Sequence, residues 1–159
     1  MSKILSLNVY PDPFLRKKAK QIDPASINEI QEFIDDMVRT MQEKENCVGL
    51  AAPQVGQSIR IIVIAYKDGP FVLINPELSG FSFRKNITEE GCLSIPGING
   101  TVERHNKVKF RGLDRNGATL EGVAEGFFSR ILQHEVDHLD GILFIDRAKE
   151  ITHGKLRKE

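Results

Sequence analysis

The segment QHEVDHLDG, residues 133–141, places His134, Glu135 and His138 in the order H-E-x-x-H. On a helix, residues four apart share a face, so two imidazoles can reach one ion while the Glu stands at its open side without ligating it. A carboxylate so placed can take a proton from water activated by the ion and return it to a departing amine. The same pattern also describes two solvated histidines on a polar helix face with an accidental glutamate. Two ligands do not close a catalytic site, which needs three protein ligands and an open position.

Downstream, Asp146, Glu150 and His153 lie in a short charged tail with no supporting pattern. Upstream, Cys92 lies in GCLSIPG, residues 91–97, among the turn formers Gly91, Pro96 and Gly97. A thiolate is a strong, soft ligand, and a Cys-His-His set leaves one position for water. Most free cysteines, however, are small buried apolar residues, and the residues alone leave both readings open. A third stretch, VGLAAPQVG at residues 48–56, carries Gln54. Its amide could be aimed at developing negative charge, or it could be a surface glutamine in a loop. Gly49, Ala51 and Ala52 keep bulk away from a backbone that a substrate could approach, as a packed turn would also require. The two cysteines, Cys47 and Cys92, fit ligation or packing better than a disulfide if the chain stays in a reducing cytosol.

Elements must hold these residues together. Residues 125–139 contain a single glycine, Gly126, at their start and no proline, and Phe128, Ile131, Leu132, Glu135 and Leu139 recur at helical spacing, with Gly141 placed as a C-terminal cap. Ser26 and Glu29 read as a capping box, opening a helix of about 17 to 20 residues in which Ile27, Ile30, Ile34, Met37 or Val38 and Met41 recur at helical spacing. IRIIVIAY, KDGP and FVLINP, residues 59–76, read as a hairpin with a buried first strand. Further strands are expected at residues 78–87, 101–113 and 118–123, and the tail after Asp146 as a helix or a solvated end. The fold class expected is α+β: mostly antiparallel strands packed around a central helix carrying H-E-x-x-H, in one domain over residues 1–159.

The chain has 159 residues, enough for one core, and its 22 Lys+Arg balance 22 Asp+Glu. No charge block argues for nucleic acid or an anionic membrane, no apolar run is long enough to span a membrane, and the N-terminus lacks a signal peptide's apolar core. A cytoplasmic monomer is the expectation.

EGCLSIPG (residues 90–97), QHEVDHLDG and VGLAAPQVG resemble, in order and spacing, the three signature motifs of the peptide deformylase family. YPDPFLRKKAK, IRIIVI, LINP, KVKFRGLDRNG and GILFID also resemble family sequence, so the likeness covers nearly the whole chain. It implies hydrolysis of the formyl group from the N-terminal formylmethionine of nascent peptides, with release of formate. It further implies that Cys92, His134 and His138 bind the metal, Glu135 is the general acid/base, and Gln54 and the Leu93 N–H receive the oxyanion. Fe(II) is the metal implied, with Zn, Ni or Co able to take the same ligands.

The resemblance also implies an extended peptide paired with Val48, Gly49 and the chain around Gly91, a methionine pocket including Val48, Phe127 and Ile131, and Arg104 near the rim. One position departs from the family, which usually has Gly where this chain has Cys47. That side chain would narrow the pocket mouth, expose an oxidisable thiol, or pack under the loop. A transient ribosome contact by the basic tail is a further expectation. Two competing readings are an H-E-x-x-H endopeptidase with a third ligand in the tail, and a metal-binding protein of the same fold without catalysis. Glu135 and Gln54, for which a structural site has no use, weigh against the latter.

Overall fold

The computed structural model describes residues 1–157. Helix α1 spans Gln31–Glu43, the buried helix α2 spans Phe127–Leu139, and a single turn, α3, spans Phe144–Arg147. The strands are β1 (Gly49–Ala51), β2 (Ile61–Tyr66), β3 (Gly69–Ser79), β4 (Lys85–Cys92), β5 (Ile95–His105), β6 (Lys107–Leu113), β7 (Thr119–Glu125) and β8 (Ala148–His153). They form a five-stranded sheet in the order β1-β2-β3-β6-β7 and a three-stranded sheet in the order β4-β5-β8, all pairs antiparallel.

The unbroken apolar run of β2 follows from burial on both faces. Ile62 and Ile64 pack with Leu73, Val108, Leu132, Val136 and Leu139 on the α2 side. Ile61 and Val63 pack with Val72, Ile74, Ile34, Met37 and Met41 on the α1 side. Strand alternation sends neighbouring residues to opposite layers, so β2 needs an aliphatic residue at each step. Fully burying each such side chain contributes roughly 1.5–3 kcal/mol relative to exposure. A third cluster of Leu15, Ile95, Val102, Leu143 and Phe144 fastens the smaller sheet.

Helix α2 is hidden along almost its whole length. Leu132, Val136 and Leu139 face the larger sheet, while His134 and His138 face the β4–β5 hairpin. Its exit is set by Gly141, at φ +74°, where a β-carbon would stand 2.4 Å from the Arg16 carbonyl oxygen.

Several boundaries differ from those expected. The chain from Pro24 to Ile30 is a 3-10 segment, and the Asp23 carboxylate accepts from Ala25 N at 3.0 Å in place of a Ser26 capping box. Pro24 follows this Asp in the first-turn position that suits its fixed φ, and the α-helix proper starts at Gln31 and runs 13 residues. The strand expected over residues 78–87 is two, β3 and β4, separated by the loop that begins at Gly80. The one expected over residues 101–113 breaks at Asn106, where the chain leaves the smaller sheet for the larger. The tail does not open as a helix: β8 pairs with β5 along residues 148–153, and the described residues beyond it, 154–157, are exposed. No helix among the described residues is long and apolar enough to cross a membrane.

Candidate active site

Cys92 ends β4, and Leu93 and Ser94 make the tight turn into β5, with a register shift at Gly91 and Cys92 that re-aims the thiol. The thiol lies 3.3 Å from His138 Nε2. Ligand atoms of Cys92, His134 and His138 all lie within 4.8 Å of one another, the group among the described residues able to hold an ion in this way. His134 uses Nδ1 against Glu90 Oε1 at 2.8 Å, which leaves Nε2 to face the cluster. His138 Nδ1 and Glu135 Oε1 are buried with no hydrogen-bond partner among the described residues. One thiolate, two imidazoles and an unpartnered carboxylate oxygen beside them suit a divalent transition metal with an open position. None of the three tail candidates joins the cluster: Asp146 accepts from Arg16 and from Leu143 N, and Glu150 and His153 lie on β8 opposite Thr101 and Asn99.

The Glu135 side chain lies in the floor of a cleft of about 480 Å³ that is also lined by Cys47, Val48, Gly49, Gln54, Gly91 and Leu93. Burial pushes its carboxyl up to about 7; the His134 charge opposes the rise and the Glu90 carboxylate adds to it. Gln54 is held at both ends of its amide. Its Oε1 accepts from Ala51 N at 2.9 Å, and its Nε2 donates to Ser94 Oγ at 3.1 Å and reaches Cys92 Sγ at 3.4 Å.

Two strand edges border the cleft, β1 of the larger sheet and β4 of the smaller. Ala65 N donates to Val48 O at 2.8 Å, so the peptide groups of Gly49, one residue on, turn away from β2 toward the cleft. Apolar side chains stand exposed at its mouth, Val48 at 40% and Phe127 at 64%. Cys47 donates to the Gly49 carbonyl at 3.3 Å and packs against the α1-side core. Burial, reinforced by the Glu135 charge, pushes its thiol up to about 12, which removes the thiolate an oxidant would attack.

A profile of the family described as Polypeptide deformylase matches residues 4–153. The chain belongs to the peptide deformylase family. The Dictyoglomus thermophilum peptide deformylase is 48% identical over 141 residues, 89% of this chain and 90% of that protein. The one from Thermodesulfovibrio yellowstonii is 44% identical over 161 aligned positions, 98% of this chain and 96% of that protein. A crystal structure of the Thermotoga maritima peptide deformylase matches with a TM-score of 0.87 at 38% identity, covering 92% of this chain and 99% of that one. An Acinetobacter baumannii class I type b peptide deformylase with Met-Ala-Ser bound matches with a TM-score of 0.87 at 40% identity, again over 92% and 99%. The chain is therefore a hydrolase that removes the N-formyl group from newly synthesised peptides. Peptide deformylases depend on a metal, and the Cys92, His134 and His138 cluster offers this chain a place for one.

Arg104 corrects the expectation that places it at the pocket rim. It is 3% exposed, does not line the cleft, and reaches Glu90 through Nε and Nη2 at 3.0 Å each and Asp137 through Nη1 at 2.6 Å. Its work is behind the site. Glu90 collects this Arg104 pair, the Arg130 guanidinium and His134 Nδ1 on one carboxylate. Burial disfavours the Glu90 charge, but the hydrogen bonds from His134 and Arg104 outweigh it and hold the carboxyl well below the usual carboxylate range. Glu90, Arg130, Asp137 and Ser94 are site-supporting residues to which no sequence pattern assigns a partner. The only local hint was the position of Glu90, two residues ahead of Cys92.

Proposed function

We propose that Cys92, His134 and His138 hold Fe(II), that Glu135 is the general acid/base, and that Gln54 Nε2 and the Leu93 N–H receive the oxyanion when formylmethionine is deformylated. The observation that carries this reading is the buried, unpartnered Glu135 Oε1 beside the three ligand groups on the floor of the cleft. The metal, when bound, supplies Lewis-acid charge that acidifies water and polarises the formyl carbonyl. Glu135 takes the proton of the attacking water and passes it to the peptide nitrogen as the carbon–nitrogen bond breaks, so formate and a free amine leave. A carboxyl raised to about 7 is suited to both halves of that transfer. Gln54, with Oε1 tied down, presents Nε2 without reorganising, and the Leu93 amide sits between Cys92 and Ser94 in a tight turn.

The peptide pairs as an added strand with the outward peptide groups of Gly49 and with β4 at Gly91. Its N–H shares the Gly49 carbonyl with Cys47, since a carbonyl oxygen has two lone pairs. Val48, Phe127 and Ile131 surround the methionine side chain. Zn, Ni or Co can replace iron on these ligands. The enzyme acts as a cytoplasmic monomer, one catalytic domain over residues 1–159, on formylmethionyl N-termini, with a transient ribosome contact by its basic tail, whose last two residues lie outside the described ones.

Formate release from a formyl-Met peptide, measured on anaerobically prepared Fe(II) protein and on Cys92→Ser, tests the reading. Release by the parent, with loss of both metal and activity in the variant, is the expected result. A variant that keeps one equivalent of metal and the parental rate removes Cys92 from the ligand set.

A further inference from the structure

The oxyanion donors proposed above stand on separate parts of the fold. Gln54 lies in the 3-10 turn Ala52–Val55 that follows β1 of the larger sheet, and Leu93 lies in the β4–β5 turn of the smaller. Among the described residues, no strand ladder joins the two sheets. Gln54 meets the smaller sheet directly through its side chain, from Nε2 to Ser94 Oγ and to Cys92 Sγ, and Nε2 is the group that must turn to the substrate.

A backbone link runs behind them. Asn8 N donates to the Gln54 carbonyl at 2.7 Å, and Tyr10 N donates to the Ser94 carbonyl at 2.7 Å. We propose that residues 8–10 are a positioning clamp, whose two amides hold the Gln54 turn and the Leu93–Ser94 turn at a set spacing. Two residues of chain span at most about 7 Å, so the two donors cannot drift apart independently. The clamp is itself anchored on both sides. Upstream, Lys3 N donates to Asp36 Oδ1 and Leu5 N to Thr40 Oγ1, both at 2.8 Å on α1. Downstream, Asn8 Nδ2 donates to Asp12 Oδ2 at 2.8 Å, and the Tyr10 hydroxyl donates to the Arg157 carbonyl at 2.9 Å. Neither Asn8 nor Tyr10 lines the cleft. They act through Gln54 and Ser94, so the clamp affects the oxyanion and not the binding of the peptide.

The clamp rests on the proposed oxyanion role of Gln54 and Leu93, and its test separates the two. Three changes are compared: Asn8→Pro, which deletes one donor; an ester in place of the Val9–Tyr10 amide, introduced with the α-hydroxy acid of tyrosine, which deletes the other and alters no side chain; and Val9→Ala, which keeps both donors at an exposed residue. The parent's formate release tests the reaction itself. Each donor deletion is expected to lower kcat about tenfold with KM within about twofold, bound metal at one equivalent and an unchanged pH profile, while Val9→Ala keeps the parental kcat. A complete donor loss costs about 10²–10³ in kcat, so displacement of a retained donor is worth less. In a Gln54→Ala background, Asn8→Pro is expected to cost nothing further, because the group it positions is gone. An ester protein with parental kcat overturns the clamp. So does a kcat loss that tracks lost metal in folded protein, or an Asn8→Pro effect undiminished by Gln54→Ala. Where Asn8→Pro does not fold, the ester decides.

Discussion

A β-carbon on Gly49 would stand 2.6 Å from Glu135 Oε2 and 3.0 Å from its Cγ, so the backbone of β1 and the carboxylate of α2 share a contact that only glycine allows. Gly49 does not need a left-handed φ; the demand is for space. Gly49→Ala is therefore expected to push the Glu135 side chain off its position at little cost to folding, because the far end of a flexible side chain yields. We expect kcat to fall about a hundredfold with bound metal and Tm near the parent's, since misplacement of about 1 Å at a reacting group costs about that much. A parental kcat would mean that the Glu135 position is not set by this contact.

Glu135→Gln keeps the shape and removes the proton carrier. The expected outcome is a kcat lower by about 10²–10⁴ with metal retained. Metal stoichiometry measured with formate release checks it, and loss of metal in step with activity would make Glu135 a ligand instead.

Glu90→Gln leaves two buried guanidiniums, Arg104 and Arg130, short of their shared carboxylate. Removing one partner from such a buried cluster costs about 3–5 kcal/mol. A loss of that size in unfolding free energy, read as the urea midpoint shift multiplied by m, is expected, together with weaker metal binding, because His134 loses the charged acceptor on Nδ1. Equal stability of variant and parent would remove Glu90 as the hub of the cluster.

Cys47 is expected to resist alkylation. Its thiol is pushed up to about 12 from an ordinary value of 9.0, mainly by burial. The shift leaves roughly a thousandth of the usual thiolate at a given pH, and thiolate is the reactive form. Iodoacetamide at pH 8, followed by mass spectrometry of the metal-loaded protein, should find Cys47 largely unmodified after a free thiol has fully reacted. Rapid modification would show a low thiol pKa and an exposed sulfur.

How much of the site was legible depended on the range of the interactions involved. The H-E-x-x-H pattern is local. Helical periodicity alone puts His134 and His138 on one face, and α2 is found within two residues of its expected start. β2 and β3 announce themselves through an aliphatic run, a turn and a second run. Asn106 carries no such mark: the break there exists because β5 and β6 belong to different sheets, which is a matter of packing. The tail was misread for the same reason, since β8 is a strand only because the β5 edge is there to receive it. Arg104 looked like a rim residue because a lone arginine gives no sign of its partners.

By itself the sequence determined the chemistry available to this chain: a thiol, two imidazoles at helical spacing, a carboxylate between them and an amide donor, with resemblance assigning their roles. Tertiary structure decided which of these groups meet. Cys92 reaches His138 because the β4–β5 hairpin closes over α2, and Gln54 reaches Ser94 because two sheets come together at one helix. Those contacts join residues 46 and 40 positions apart. Such contacts are set by the sum of core packing and strand pairing, in which no single local preference is large enough to show.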